Sequence, residues 1–110
     1  MPAITLKPIT HADIDARSLA LHQAVAQKLK ANPGLIEVAK VNLSRWLKTC
    51  SPRTAPVLRQ WEEILSNSDI TGIISIIESP SEASTQLRQS SPFCGILSNE
   101  ERTAILLSTR

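Results

Sequence analysis

The residues of this chain that could carry chemistry are few and scattered. The 110 residues include two histidines, His11 and His22, and neither belongs to an HExxH, GxSxG or cysteine-protease signature. His22 borders an apolar stripe, which predicts a buried and hydrogen-bonded core side chain. The three glycines, at positions 34, 72 and 95, are too far apart to form a phosphate-binding loop. We therefore expect no catalytic residue and no enzyme activity.

Clustered ligands for a metal or a cofactor are also missing from the sequence. Carboxylates pair only as sequence neighbours, as at Glu62-Glu63, and neighbours on a helix point in different directions. Cys50 and Cys94 are isolated and lack a CxxC pattern. This predicts two small buried apolar side chains without a disulfide, in a protein that holds no metal and no cofactor.

The spacing of apolar residues predicts an all-α fold. A chain of 110 residues with 42% apolar residues, mostly aliphatic, suits one domain with one core. Helical periodicity predicts helices over residues 12–31, 33–49, 56–66, 70–78, 80–89 and 99–108. The β-branched run in residues 70–78 would also suit a strand, but a lone strand would have no pairing partner. We expect a compact bundle of about five or six short helices.

The ends of the predicted helices are marked by capping residues. Ser79 with Glu82, and Ser98 with Glu101, have the spacing of a capping box. Residues 1–11 contain two prolines and a short alternation of apolar and polar residues, which predicts an extended arm ahead of a single helical domain, residues 12–110. No apolar run approaches the length that crosses a bilayer, and no leader pattern is visible, so we expect a cytoplasmic location and no membrane partner.

The segment LRQSSPFCGILSNEER, residues 87–102, is predicted to be a bent connector between the last two helices. Pro92 and Gly95 favour the bend. One interpretation is structural, with Phe93 packing into the core. The other is that the bend presents a polar and aromatic set to a protein partner, helped by the apolar last helix. The predicted partner-binding residues are Arg88, Gln89, Ser90, Ser91, Phe93 and Leu106.

Charge is distributed unevenly along the chain, and this favours DNA binding as an alternative function. Residues 28–59 have a net charge of +6, whereas residues 60–110 have a net charge of −4. A DNA-binding transcriptional regulator could use the basic middle helices, although a basic face on a soluble helix is usually only solvated. The residues predicted to follow the phosphate backbone are Lys40, Arg45, Lys48, Arg53 and Arg59.

Three segments, taken together, carry a family resemblance. SLALHQAVAQKL at residues 18–29, NLSRWL at residues 42–47 and the connector segment at residues 87–102 resemble small helical bacterial antitoxins. The resemblance implies a non-catalytic protein that binds and neutralises a toxin encoded nearby, for instance a nucleotidyltransferase-like enzyme. Antitoxins can combine this role with DNA binding, so both functions stay open, as does a homodimer.

Overall fold

The computed structural model describes residues 11–108, and within this range the chain is helical. It contains six α-helices and one short 3-10 turn, and residues 11–108 contain no strand, which confirms the all-α class and the number of helices. The predicted arm lies outside the described residues, except that His11 already belongs to the first helix. No helix among residues 11–108 is long and apolar enough to span a bilayer.

The helices follow the predicted order with small shifts at their ends. They are α1 (His11–Ala31), α2 (Ile36–Leu47), α3 (Ala55–Asn67), α4 (Ile70–Glu78), α5 (Glu82–Arg88) and α6 (Asn99–Ser108). The second predicted helix opens with a 3-10 turn, Pro33–Leu35, before α2 begins. Asn32 caps this turn, because its side chain accepts a hydrogen bond from the Gly34 N–H at 3.2 Å.

The isoleucine-rich segment forms helix α4, as predicted. Asp69 caps the helix, since its carboxylate accepts a hydrogen bond from the Gly72 N–H at 2.8 Å. Ile73, Ile74 and Ile77 are buried. Their burial outweighs the small loss of helix propensity that β-branched side chains bring.

One predicted capping box is present and the other is displaced. Ser98 and Glu101 cap α6 reciprocally: each backbone N–H donates to the other's side chain, at 3.0 and 3.1 Å. The box predicted at Ser79 is wrong, because Ser81 caps α5 instead and accepts from the Ser84 N–H at 3.2 Å. Ser79 ends α4, and its carbonyl oxygen is used by Arg88.

The core lies where α1 packs on α4 and α5, and where α2 packs on α3. Trp61 on α3 is fully buried, and its indole N–H donates to the Leu87 carbonyl at 2.9 Å. This bond satisfies a polar atom that burial would otherwise leave without a partner. Trp61 is therefore a core residue.

The two cysteines differ from the prediction. Cys50 is half-buried and Cys94 is exposed on the connector, and both are free thiols. Cys94 lies beside Gly95, whose φ of 92° is in the left-handed region that favours glycine. The expectation that both cysteines are buried is therefore wrong for Cys94.

Candidate functional site

The connector, defined here as residues 89–98, joins α5 to α6 and is anchored by an aromatic side chain. Phe93 is 4% exposed. Its ring meets Trp61 edge to face at 5.5 Å between centroids, and it meets His22 in the same way at 6.2 Å. Phe93 therefore packs into the core and ties the connector to α1 and α3. Its predicted contact with a partner stays a prediction.

A buried asparagine on α2 holds the connector from a second side. The Asn42 side-chain amide donates to the Pro92 carbonyl at 2.8 Å and to the Cys94 carbonyl at 2.9 Å. Its carbonyl oxygen accepts from Arg45 at 3.2 Å. Sequence reasoning did not single out Asn42. The available signal was its position three residues after Ala39, on the buried face of the helix.

His22 on α1 holds the connector from a third side. Its Nδ1 lies 2.7 Å from the Ser18 carbonyl, which can only accept, so Nδ1 carries the proton. Nε2 then accepts a hydrogen bond from the Ser91 hydroxyl at 2.7 Å. Burial lowers the pKa of His22, and the positive charge of Arg88 lowers it further, whereas the hydrogen bond to Ser18 raises it. The imidazole is thus held neutral in the core, as a hydrogen-bonded histidine of the kind predicted.

The contact of His22 with Ser91 has the spacing of a base and a nucleophile. However, Nδ1 faces a carbonyl, so no carboxylate at that position stabilises an imidazolium. Arg88 disfavours the imidazolium further. The Ser91 oxygen also accepts from the Phe93 N–H at 3.3 Å. These contacts are better suited to holding the connector against α1 than to transferring a proton.

Arg88 has a structural role at the end of α4. It is 5% exposed, and its guanidinium donates to the carbonyls of Ile77 and Ser79 at 3.2 and 2.6 Å. It also donates to the Thr85 hydroxyl at 3.1 Å. The C-terminal carbonyls of a helix carry partial negative charge, so they stabilise a buried cation. Arg88 forms no ion pair with a described carboxylate, and its Nε has no hydrogen-bond partner among residues 11–108.

A surface groove of about 450 Å³ lies between α1 and α6, and we call it the α1–α6 groove. Four of the six predicted partner-binding residues line it: Arg88, Gln89, Ser91 and Leu106. The other lining residues are Ile14, Asp15, Arg17, Ser18, Leu21, Cys94 and Arg102. The groove thus brings together side chains from the two ends of the described chain and from the connector.

A second cavity of about 360 Å³ lies on the other side of the connector, and we call it the α2–α3 cleft. It is lined by Trp46, Thr49, Cys50, Thr54, Leu58, Gln89, Ser90 and Ser91. Gln89 and Ser91 line both cavities, so the start of the connector forms a ridge between them. Phe93 supports this ridge from the core and lines neither cavity.

The basic residues predicted to bind DNA are all exposed. They do not share one helix face, because Lys40 and Arg45 lie about 140° apart around α2 at 100° per residue. Lys40 also pairs with Glu37 at 3.6 Å. DNA binding through these residues stays a prediction.

The described residues include no group of three His, Cys, Asp or Glu side chains that could hold a metal ion. No protein-family model, curated protein or solved structure matches this chain. The geometry of the groove and its ridge is therefore the basis for a functional assignment.

Proposed function

We propose that this chain is a non-catalytic protein-binding module that holds a partner in the α1–α6 groove and on the connector ridge. The observation that carries the proposal is the groove itself, whose lining combines apolar side chains with polar ones, of which Ser91 and Arg88 are held by hydrogen bonds. A surface held rigid before binding loses little conformational entropy when a partner docks.

Ile14 gives the groove an exposed apolar anchor. It is 51% exposed and lies at the groove wall, and Leu107 beside Arg17 is 56% exposed. Apolar side chains that stand open at a concave surface are typical of protein contact sites. We infer that the partner covers them, and that it is a toxin encoded nearby, as the resemblance to antitoxins implies.

The test is to express the chain with the products of its neighbouring genes and to measure the affinity of the complex that co-purifies. Ile14→Ala should weaken that complex by about 1 kcal/mol or more, because it removes a groove contact without disturbing the core. Val41→Ala is the matched control, since Val41 is 59% exposed on α2 and lies outside both cavities. Co-expression of the chain with the partner should also relieve any growth arrest that the partner alone causes.

The proposal fails if Ile14→Ala and Val41→Ala reduce the partner affinity equally. The DNA-binding alternative is tested separately: a salt-sensitive shift of duplex DNA that Arg53→Glu with Arg59→Glu abolishes would show DNA binding through the basic residues, whether or not a partner also binds.

A further inference from the structure

We propose that the occupant of the α1–α6 groove is an acidic amphipathic helix of the partner protein. This inference rests on the proposed function, because it assigns the chemistry of the partner at the same site.

The groove lies beside two helices that run antiparallel, an arrangement on which a third helix can pack. Lys28 pairs with Glu101 at 2.7 Å near one end of the α1–α6 contact, and Arg17 lies beside Leu107 at the other, so the two helices run antiparallel. Ile14 and Leu21 are two turns apart on one side of α1, which is about 10.5 Å. A valley between two antiparallel helices accepts a third helix with apolar residues at positions i, i+3 or i+4, and i+7.

The charge lining the groove is positive. Arg17, Arg88 and Arg102 line it, and Asp15 is the only acidic residue among the lining side chains. Neither Arg17 nor Arg102 forms an ion pair within residues 11–108. Arg88 adds a buried positive charge: burial lowers its pKa, the charge of Asp15 opposes that lowering, and Arg88 forms no ion pair within residues 11–108. Carboxylates on the occupant would complement this field.

Other occupants fit the groove less well. A nucleic-acid backbone would meet the arginines but would leave Ile14, Leu21 and Leu106 without apolar contacts. The chain's own residues 1–10 contain Lys7 and no acidic residue, so they do not complement the charge. A protein helix with both carboxylates and apolar side chains matches both features.

The test uses two fluorescent designed peptides of about 15 residues, long enough to form helix. Both carry leucines at positions i, i+3, i+4 and i+7, flanked by glutamates in one peptide and by lysines in the other. By fluorescence anisotropy at low salt, the acidic peptide should bind roughly tenfold more tightly than the basic one. The preference should shrink at about 0.5 M salt, because screening weakens exposed charge pairs.

Charge-reversal variants show which arginines cause the preference for the acidic peptide. Arg17→Glu with Arg102→Glu should abolish or invert the preference, and thermal unfolding should stay unchanged because neither side chain is paired within residues 11–108. Arg53→Glu with Arg59→Glu is the control, since it changes the net charge equally at exposed positions outside the groove. The control should keep the preference of the unmodified chain.

Three outcomes would overturn the inference. The first is that the two peptides bind equally tightly. The second is that both double variants lose the preference for the acidic peptide to the same extent. The third is that Arg17→Glu with Arg102→Glu changes only duplex DNA binding or self-association and leaves peptide binding unchanged. If a partner co-purifies in an Ile14-dependent way while the peptides bind equally, the inference fails and the proposed function stands. If the acidic peptide is preferred but no partner binds in an Ile14-dependent way, the charge preference of the groove stands, whereas its assignment to a partner protein fails together with the proposed function.

Discussion

At the scale of single residues, polar side chains on two helices determine where the connector lies. His22 on α1 reaches Ser91, and Asn42 on α2 reaches the carbonyls of Pro92 and Cys94. Trp61 on α3 holds the end of α5 just before the connector, through the carbonyl of Leu87. The bonds from Asn42 satisfy backbone carbonyls that lie outside regular helix. The connector is thus a rigid part of the fold, and the ridge it forms between the two cavities is rigid as well.

Asn42→Leu should destabilise the protein by about 1–3 kcal/mol, because leucine is similar in size but leaves the carbonyls of Pro92 and Cys94 without donors. Urea unfolding measures this change. Asn67→Leu is the control, since Asn67 is exposed at the end of α3 and should change stability by less than about 0.5 kcal/mol. Equal small effects at both positions would show that Asn42 does not hold the connector.

The stability of the protein should fall in mild acid because of His22. Its folded pKa is lowered from 6.5 by burial, so the unfolded chain takes up the proton first. The contribution of the neutral imidazole is fully present above pH 6.5 and is lost as the pH falls towards the folded pKa. Each unit by which the pKa is lowered corresponds to about 1.4 kcal/mol.

Urea unfolding between about pH 7.5 and 5.5 tests this dependence, because the carboxylates titrate below that range. His22→Gln should flatten the profile, whereas His11→Gln, at the only other histidine, should retain it. A fall of equal size in all three proteins would assign the effect to another group.

At the scale of helices, α6 differs from the other five α-helices. None of its residues is buried, and its larger apolar side chains are half-buried or exposed. It is held on α1 by the ion pair of Lys28 with Glu101, and its first turn is closed by the Ser98 capping box. The hydrogen bond to Lys28, followed by the backbone bond from Ser98, lowers the pKa of Glu101 to about 2. This wall of the groove is therefore fixed by polar contacts at one end.

Lys28→Met should loosen α6 while leaving the rest of the fold intact. Amide hydrogen exchange in α6 should speed up several-fold, and global unfolding should change little because α6 buries no residue. The same variant should raise the pKa of Glu101. The contribution of Glu101 is present above its ordinary pKa of 4.5 and is lost as the pH falls towards 2, so acid should reproduce the variant's effect.

Lys30→Met is the matched control, because Lys30 pairs with Glu78 on α4 at 3.8 Å and not with a carboxylate of α6. If Lys28→Met and Lys30→Met speed up amide hydrogen exchange in α6 equally, Lys28 does not hold α6 in place.

At the scale of the whole molecule, the fold was predictable because its signals are local. Caps such as Asp69 and the Ser98 box lie within three residues of the groups they bond, so the sequence alone reveals them. The start of α5 was missed because Arg88, nine residues away, takes the carbonyl of Ser79. The sequence carries no short-range sign of that contact.

The candidate site was predictable only in part, for the same reason. The sequence pointed to the connector, and four of the six predicted residues line the groove. It offered core packing as one of two interpretations of Phe93 and could not decide between them, because the answer depends on Trp61 and His22, which lie 32 and 71 positions away. Arg17 and Arg102 were missed because each is an ordinary surface arginine until α1 and α6 are packed together.

The exposed side chain of Gln89 lines both cavities, whereas the neighbouring Ser91 hydroxyl is already held by His22. Whatever fills the groove restricts the Gln89 side chain for the cleft as well. A molecule that later enters the cleft then loses less side-chain entropy there, so each occupant should raise the affinity for the other by the same factor. A small apolar compound in the cleft would strengthen the protein complex without touching the partner.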